Sequence, residues 1–221
     1  MKRLLTIGMF AWFCAGCFFA ACPASAKRPA TTQRLASAGP RADKSTAAKH
    51  SVAVGMTDTV AYFPLLEGRR VAVLTNHTAV ADMPGALGAD SAGRIHLVDL
   101  LYRRGFDVTG IFSPEHGFRG KADAGETVGD AVDPSTGIPI RSLYNGNAQR
   151  PSERAMQSFD VLIVDMQDVG LRFYTYHISM LRLMEACAAV DKTVIVLDRP
   201  NPNGCHIDGP VLEKKYRSGV G

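Results

Sequence analysis

A carboxylate, an imidazole and a guanidinium fall within five residues in Ser113-Pro114-Glu115-His116-Gly117-Phe118-Arg119-Gly120. A glutamate beside a burying wall keeps its proton near neutral pH and can donate it to a leaving oxygen. Further acids stand at Asp165, Asp168 and Asp198. Two carboxylates flanking one bond can divide acid and base, or acid and nucleophile, when their surroundings push their pKa values apart. Each acid also has a plainer reading. The opening turn could hold itself together by Glu–Arg pairing. Asp165 and Asp198 could cap the helices that follow, and Asp168 could pair with Arg172 one turn on. His116 and His177 lack H-x-H or H-x-x-x-H spacing, so hydrogen-bonded histidines and no metal are expected. Tyr174 and Tyr176 suit packing or, at a cleft rim, stacking on a sugar face.

The elements that must position these residues are short apolar runs. Arg70 to Leu74, Phe106 to Phe112, Phe159 to Met166 and Thr193 to Leu197 read as buried strands, the third being the strongest. A helix is expected from Ile95, with Val98, Leu101 and Tyr102 on its apolar face and Gly105 ending it. Another runs from Tyr176 to Val190, with Ile178, Leu181, Met184, Glu185 and Ala188 near one face. A short helix ends at Gly68, Pro84 to Gly93 is a loop, and 121–137 is a long surface excursion. Ile138 to Leu143 reads as an edge strand because Pro139 cannot donate to a central ladder. Strands alternating with helices imply an α/β fold, a mostly parallel sheet covered on both faces.

In such a sheet the C-terminal strand ends share one edge, where ligand crevices form. Each buried strand here runs into a polar cluster: Thr75-Asn76-His77-Thr78, Ser113 to Gly120, Asp165 to Tyr174, and Asp198 to Gly204. Their convergence predicts a small-molecule or glycan site. Glu115, Asp165 and Asp168 are its candidate catalytic groups. Asn76, His116, Arg119, Gln167, Arg172, Tyr174, Tyr176, Asp198, Arg199 and Asn201 are its candidate binding residues. Nucleotide chemistry is disfavoured, since no G-x-G-x-x-G follows a strand and Gly117-Phe118-Arg119-Gly120-Lys121 lacks the P-loop spacing. No G-x-S-x-G elbow is present either.

The chain has 221 residues and a formal charge of +4, but six basic residues against one acid lie in 27–50. That excess sits in a flexible spacer and gives no footprint for nucleic acid. Residues 1–26 read as a signal peptide, with Lys2 and Arg3 before an uncharged run and Ala24-Ser25-Ala26 as a cleavage site. Phe19-Ala20-Ala21-Cys22 also resembles a lipobox, which makes Cys22 a candidate for lipid attachment and membrane anchoring. Export to the periplasm or outer membrane is therefore expected, with secretion as the alternative. Cys187 and Cys205 are expected as free thiols.

Taken together, SPEHGFRG, DMQDVGLRFYTY and VLDRPNPNG resemble the signatures of the NamZ/YbbC-type exo-β-N-acetylmuramidases, with Thr75-Asn76, Leu143-Tyr144 and Asp208-Gly209-Pro210 in agreement. The resemblance implies a Rossmann-like domain over 52–221, after a linker at 27–51, with a smaller C-terminal domain that lies beyond this sequence. It implies release of N-acetylmuramic acid from the non-reducing end of peptidoglycan fragments, without a cofactor, and Glu115 as general acid/base. A guanidinium at Arg119 or Arg172 would suit the lactyl carboxylate. The alternative is a non-catalytic, envelope-anchored peptidoglycan-binding module, with a metal-dependent hydrolase behind it.

Overall fold

The computed structural model describes residues 52–115, 117–118, 131–143 and 151–218, together with the backbone of 5–7. Residues 1–4 and 8–51, which hold Cys22, the rest of the expected signal peptide and the expected linker, lie outside the described residues.

The core is a seven-stranded sheet ordered β1-β9-β8-β2-β5-β7-β6. Its strands are β1 (Leu5–Ile7), β2 (Val71–Thr75), β5 (Val108–Ser113), β6 (Ala131–Val132), β7 (Pro139–Ser142), β8 (Val161–Asp165) and β9 (Thr193–Leu197). All neighbours run parallel except β6, which is antiparallel to β7. β2 and β8 are buried at every position, as expected of strands covered on both faces.

Side chains alternate between the two layers because successive Cβ atoms point to opposite faces. Val71, Val73, Ile111, Ile163 and Ile195 pack with Met56, Tyr62 and Leu66 and with Leu97 to Leu101 of α2 (Leu97–Arg103). On the other face, Ala72, Leu74, Phe112, Leu162 and Val164 pack with Ala155 and Met156 of α3 (Glu153–Gln157) and Leu183 and Cys187 of α4 (Tyr176–Ala189). Each fully buried aliphatic side chain contributes about 1.5–3 kcal/mol relative to exposure. The result is the expected three-layer α/β arrangement.

Several local expectations need correction. The helix begins at Leu97, because Ile95 belongs to β4 (Arg94–His96), which pairs antiparallel with β3 (Val80–Asp82). Tyr102 is exposed, so the buried stripe of α2 is Leu97, Val98, Leu100 and Leu101. The stripe of α4 is Tyr176, Leu183 and Cys187, with Met180 and Met184 beside it; Leu181 faces outward. Both apolar sets on this helix have a helical period, and only the position of the sheet chooses between them. β7 is flanked by β5 and by short β6, so it lies one strand in from the edge. Pro139 occupies its first residue, where a missing donor is tolerated.

Candidate active site

The central position of β2 decides where the site lies. With β8 and β9 on one side and β5 and β7 on the other, the chain reverses direction between β2 and β8. A crevice opens at such a switch point beyond the carboxyl ends of the strands. Thr75 and Asp165 stand opposite each other there, and Asn76 follows, fully buried.

Side chains tie these ends together. The Thr78 backbone N–H and hydroxyl both donate to Asn76 Oδ1, at 3.0 and 2.6 Å. The Thr78 hydroxyl in turn accepts from Gln167 N–H at 3.0 Å. Asn76 O accepts from His96 Nε2 at 2.9 Å, and His96 Nδ1 accepts from Val98 N–H at 3.1 Å. The second bond places the ring proton on Nε2. Asn76 Nδ2 is buried and makes no hydrogen bond among the described residues.

Asp165 is fully buried and does not cap a helix. Its two oxygens accept from Nε and Nη2 of Arg199, whose side chain is 6% exposed, and Arg199 Nη1 also donates to Val80 O at 3.3 Å. Burial pushes the Asp165 carboxyl above the usual aspartate range, and Arg199 pulls against it. The arrangement is that of a bidentate buried pair. It joins the end of β9 to β8 and to the β3–β4 hairpin.

Glu115 stands in a tight turn after β5, closed by Gly117 N–H donating to Pro114 O at 3.2 Å. Gly117 has φ +76°, which is why glycine is suited to that position. Glu115 Oε2 accepts from the Thr175 hydroxyl at 2.8 Å. Tyr176 is next along the chain and is buried, so it is a wall of the site and not a rim residue. Its ring meets Tyr174 edge-on, with centroids 4.5 Å apart. Burial first, then Tyr174 and the charge of Glu115, push the Tyr176 hydroxyl up to about 12. The hydroxyl therefore stays protonated at physiological pH and acts as a donor.

Asp168 does not pair with Arg172. Its Oδ1 accepts from Gly170 N–H at 2.6 Å, its buried Oδ2 makes no hydrogen bond among the described residues, and His177 Nδ1 lies 3.7 Å from that oxygen. Arg172 is exposed at the rim and donates to Pro210 O at 3.2 Å. Gln167 donates to Asp168 O and Pro200 O, and Asn203 to Val169 O, so both amides fasten the β8 and β9 loops together. Asn201 Oδ1 accepts from Asn203 N–H at 2.9 Å while its amide packs on Gly170. Asp198, exposed, lines a crevice of about 250 Å³ with Asp168, His177, Tyr176, Met166 and Met180. His116 and Arg119 lie outside the described residues. No three His, Cys, Asp or Glu side chains gather as a metal would require, among the described residues.

The structure thus brings Asn76, Glu115, Asp165, Gln167, Tyr174, Tyr176 and Arg199 to one edge. Sequence reasoning missed Thr175, His96 and the bridging role of Thr78. Thr175 directly precedes a helix, a position that suggests a cap, and nothing local shows that it meets Glu115. His96 carries no local signal at all.

The sequence model for exo-β-N-acetylmuramidase NamZ, N-terminal, matches residues 71–221. The chain belongs to the NamZ family. It is 41% identical over 194 residues to the peptidoglycan β-N-acetylmuramidase NamZ of Bacillus subtilis (strain 168), a match that covers 86% of this chain and 44% of that protein. Two crystal structures of DUF1343 family proteins from Bacteroides fragilis NCTC 9343 are also similar. One is 50% identical with a TM-score of 0.60, the other 37% identical with a TM-score of 0.62; each match covers 76% of this chain and 40% of that one. The chain therefore spans less than half the length of these relatives and carries the NamZ N-terminal domain.

Proposed function

We propose that this NamZ-family domain supplies the acid/base wall of an exo-acting glycoside hydrolase. The reaction releases N-acetylmuramic acid from the non-reducing end of peptidoglycan-derived muramyl glycans, in the periplasm or at the outer membrane after export. The observation that carries the reading is Glu115 itself. It sits in the family's Pro-Glu-His-Gly motif, on the carboxyl edge of the sheet, hydrogen-bonded to Thr175 and close enough to Tyr176 for its charge to raise that hydroxyl.

In this reading Glu115 donates a proton to the glycosidic oxygen as the bond to the anomeric carbon breaks, and later takes one from water. The Tyr176 hydroxyl serves as a neutral donor on the wall behind it. Of the two aspartates, Asp168 is the one offered as partner carboxylate, since it lines the crevice beside Tyr176. Asp165 is committed to Arg199 and holds the strand ends in register. In this reading Asp165 serves as scaffold and not as catalyst.

The test is release of free N-acetylmuramic acid from a MurNAc–GlcNAc disaccharide by the chain and by Glu115→Gln. Release that falls at least about a hundredfold in the variant supports the assignment. Binding of muramyl glycans without release by the unaltered chain would favour the binding-module reading.

A further inference from the structure

Thr175 is the N-cap residue of α4, yet its side chain makes no capping hydrogen bond. The reason is its backbone. A capping side chain needs an extended N-cap residue to reach back to the N–H groups of the first turn. Thr175 has φ −80° and ψ −8°, a helical conformation, whereas Ser152 at the start of α3 is extended (φ −65°, ψ 155°) and does cap. The Thr175 hydroxyl is instead directed across the edge of the sheet and donates to Glu115 Oε2 at 2.8 Å, joining residues 60 apart in the chain. Its backbone O still accepts from Ile178 and Ser179 N–H, so the helix itself is properly started.

We infer that Thr175 is a positioning residue for Glu115: its hydroxyl engages Oε2 and fixes the carboxyl's rotation for proton exchange with substrate. The inference rests on the reading of Glu115 as the acid/base group. A helix start that forgoes its cap loses stability that a threonine normally provides. Here the hydroxyl is spent on the one carboxylate that the chemistry needs held still. Placement matters because a donor aimed slightly wrong loses much of its effect on rate. The hydrogen bond links α4 directly to the turn after β5. The position of the acid is thus set by the same helix that supplies Tyr176.

Two measurements on the full chain test this. In the first, Thr175→Val lowers kcat for MurNAc release by roughly ten- to hundredfold with KM unchanged, and Thr175→Ser restores most of it, since serine keeps the hydroxyl. Loss of stability alone would lower the active fraction, and serine would not rescue it. The second measurement does not depend on turnover. Urea midpoints of Thr175→Val, Glu115→Ala and the double variant form a cycle in which the two single shifts sum to more than the double, because both remove one bond. Additive shifts, or wild-type kcat in Thr175→Val, overturn the inference. An inactive unaltered chain with a coupled cycle would refute the hydrolase reading while leaving the Thr175–Glu115 bond intact.

Discussion

Replacing Arg199 by Met removes the partner of a fully buried carboxylate while roughly keeping side-chain length. Asp165 has no exposed surface, and both of its oxygens are held by Arg199. Leaving one member of a buried pair without the other costs about 3–5 kcal/mol, most of it the penalty of an uncompensated charge. Arg199 also donates to Val80 O, so the β3–β4 hairpin loses an anchor at the same time. The cost should depend on pH, and its sign follows from the burial. Burial raises the Asp165 carboxyl, and the Arg199 guanidinium opposes that rise. Without Arg199 the folded-state pKa stands further above the unfolded one, so the protonated form is tolerated below the unfolded value. Stability is then lost as pH rises through the raised value. Arg199→Met is therefore least harmful in acid and most harmful near neutrality. Urea unfolding followed by far-UV circular dichroism measures this, since the single tryptophan, Trp12, precedes the α/β domain that begins at residue 52. A loss near neutrality below about 1 kcal/mol would refute the argument, as would a loss that does not change with pH. The double variant Asp165→Leu/Arg199→Met should recover much of the stability, because no charge is then stranded.

Three further outcomes follow from other parts of the molecule. At the opposite edge of the sheet, Arg70 donates to Asp160 through its backbone N–H, Nε and Nη2, and holds that carboxyl at about 2. A depressed acid stabilises the fold above its unfolded value and loses that contribution as pH falls toward about 2. Asp160→Asn should thus cost on the order of 1 kcal/mol at neutral pH, the pair being half exposed and screened, and nothing in strong acid; an equal loss at both would count against the pairing. Gly170 has φ +68°, and an added Cβ would lie 2.5 Å from Asn201 Nδ2, whereas Gly68 has φ +67° with open space around it. Both Ala variants carry about 1–2 kcal/mol of left-handed strain, and Gly170→Ala should lower Tm further than Gly68→Ala. Cys187 is buried, with its thiol pushed up to about 11, and Cys205 is exposed, so iodoacetamide should label Cys205 and spare Cys187 in the folded chain. Peptide mapping reads the difference.

The sequence by itself determined the central strands β2, β5, β8 and β9 and where their polar ends fall. Val161 to Asp165 is apolar without interruption and can satisfy burial only in a covered sheet, so its place was legible. Parallel strands put their carboxyl ends on one edge, and that rule alone gathers Asn76, Glu115, Asp165 and Arg199. The tertiary structure decided which partner each group takes. Asp165 meets Arg199, 34 residues on, and not a helix N-terminus, because β8 and β9 are adjacent. Two apolar stripes on α4 have the same period, and only contact with the sheet shows that Leu183 and Cys187 face inward. Thr175 reads as a cap in one dimension and as the holder of Glu115 in three, because its backbone is helical and the β5 turn comes to meet it. Period and burial are local demands that residues announce one by one. Pairing depends on strand order, which the chain settles only when its two layers close on the sheet.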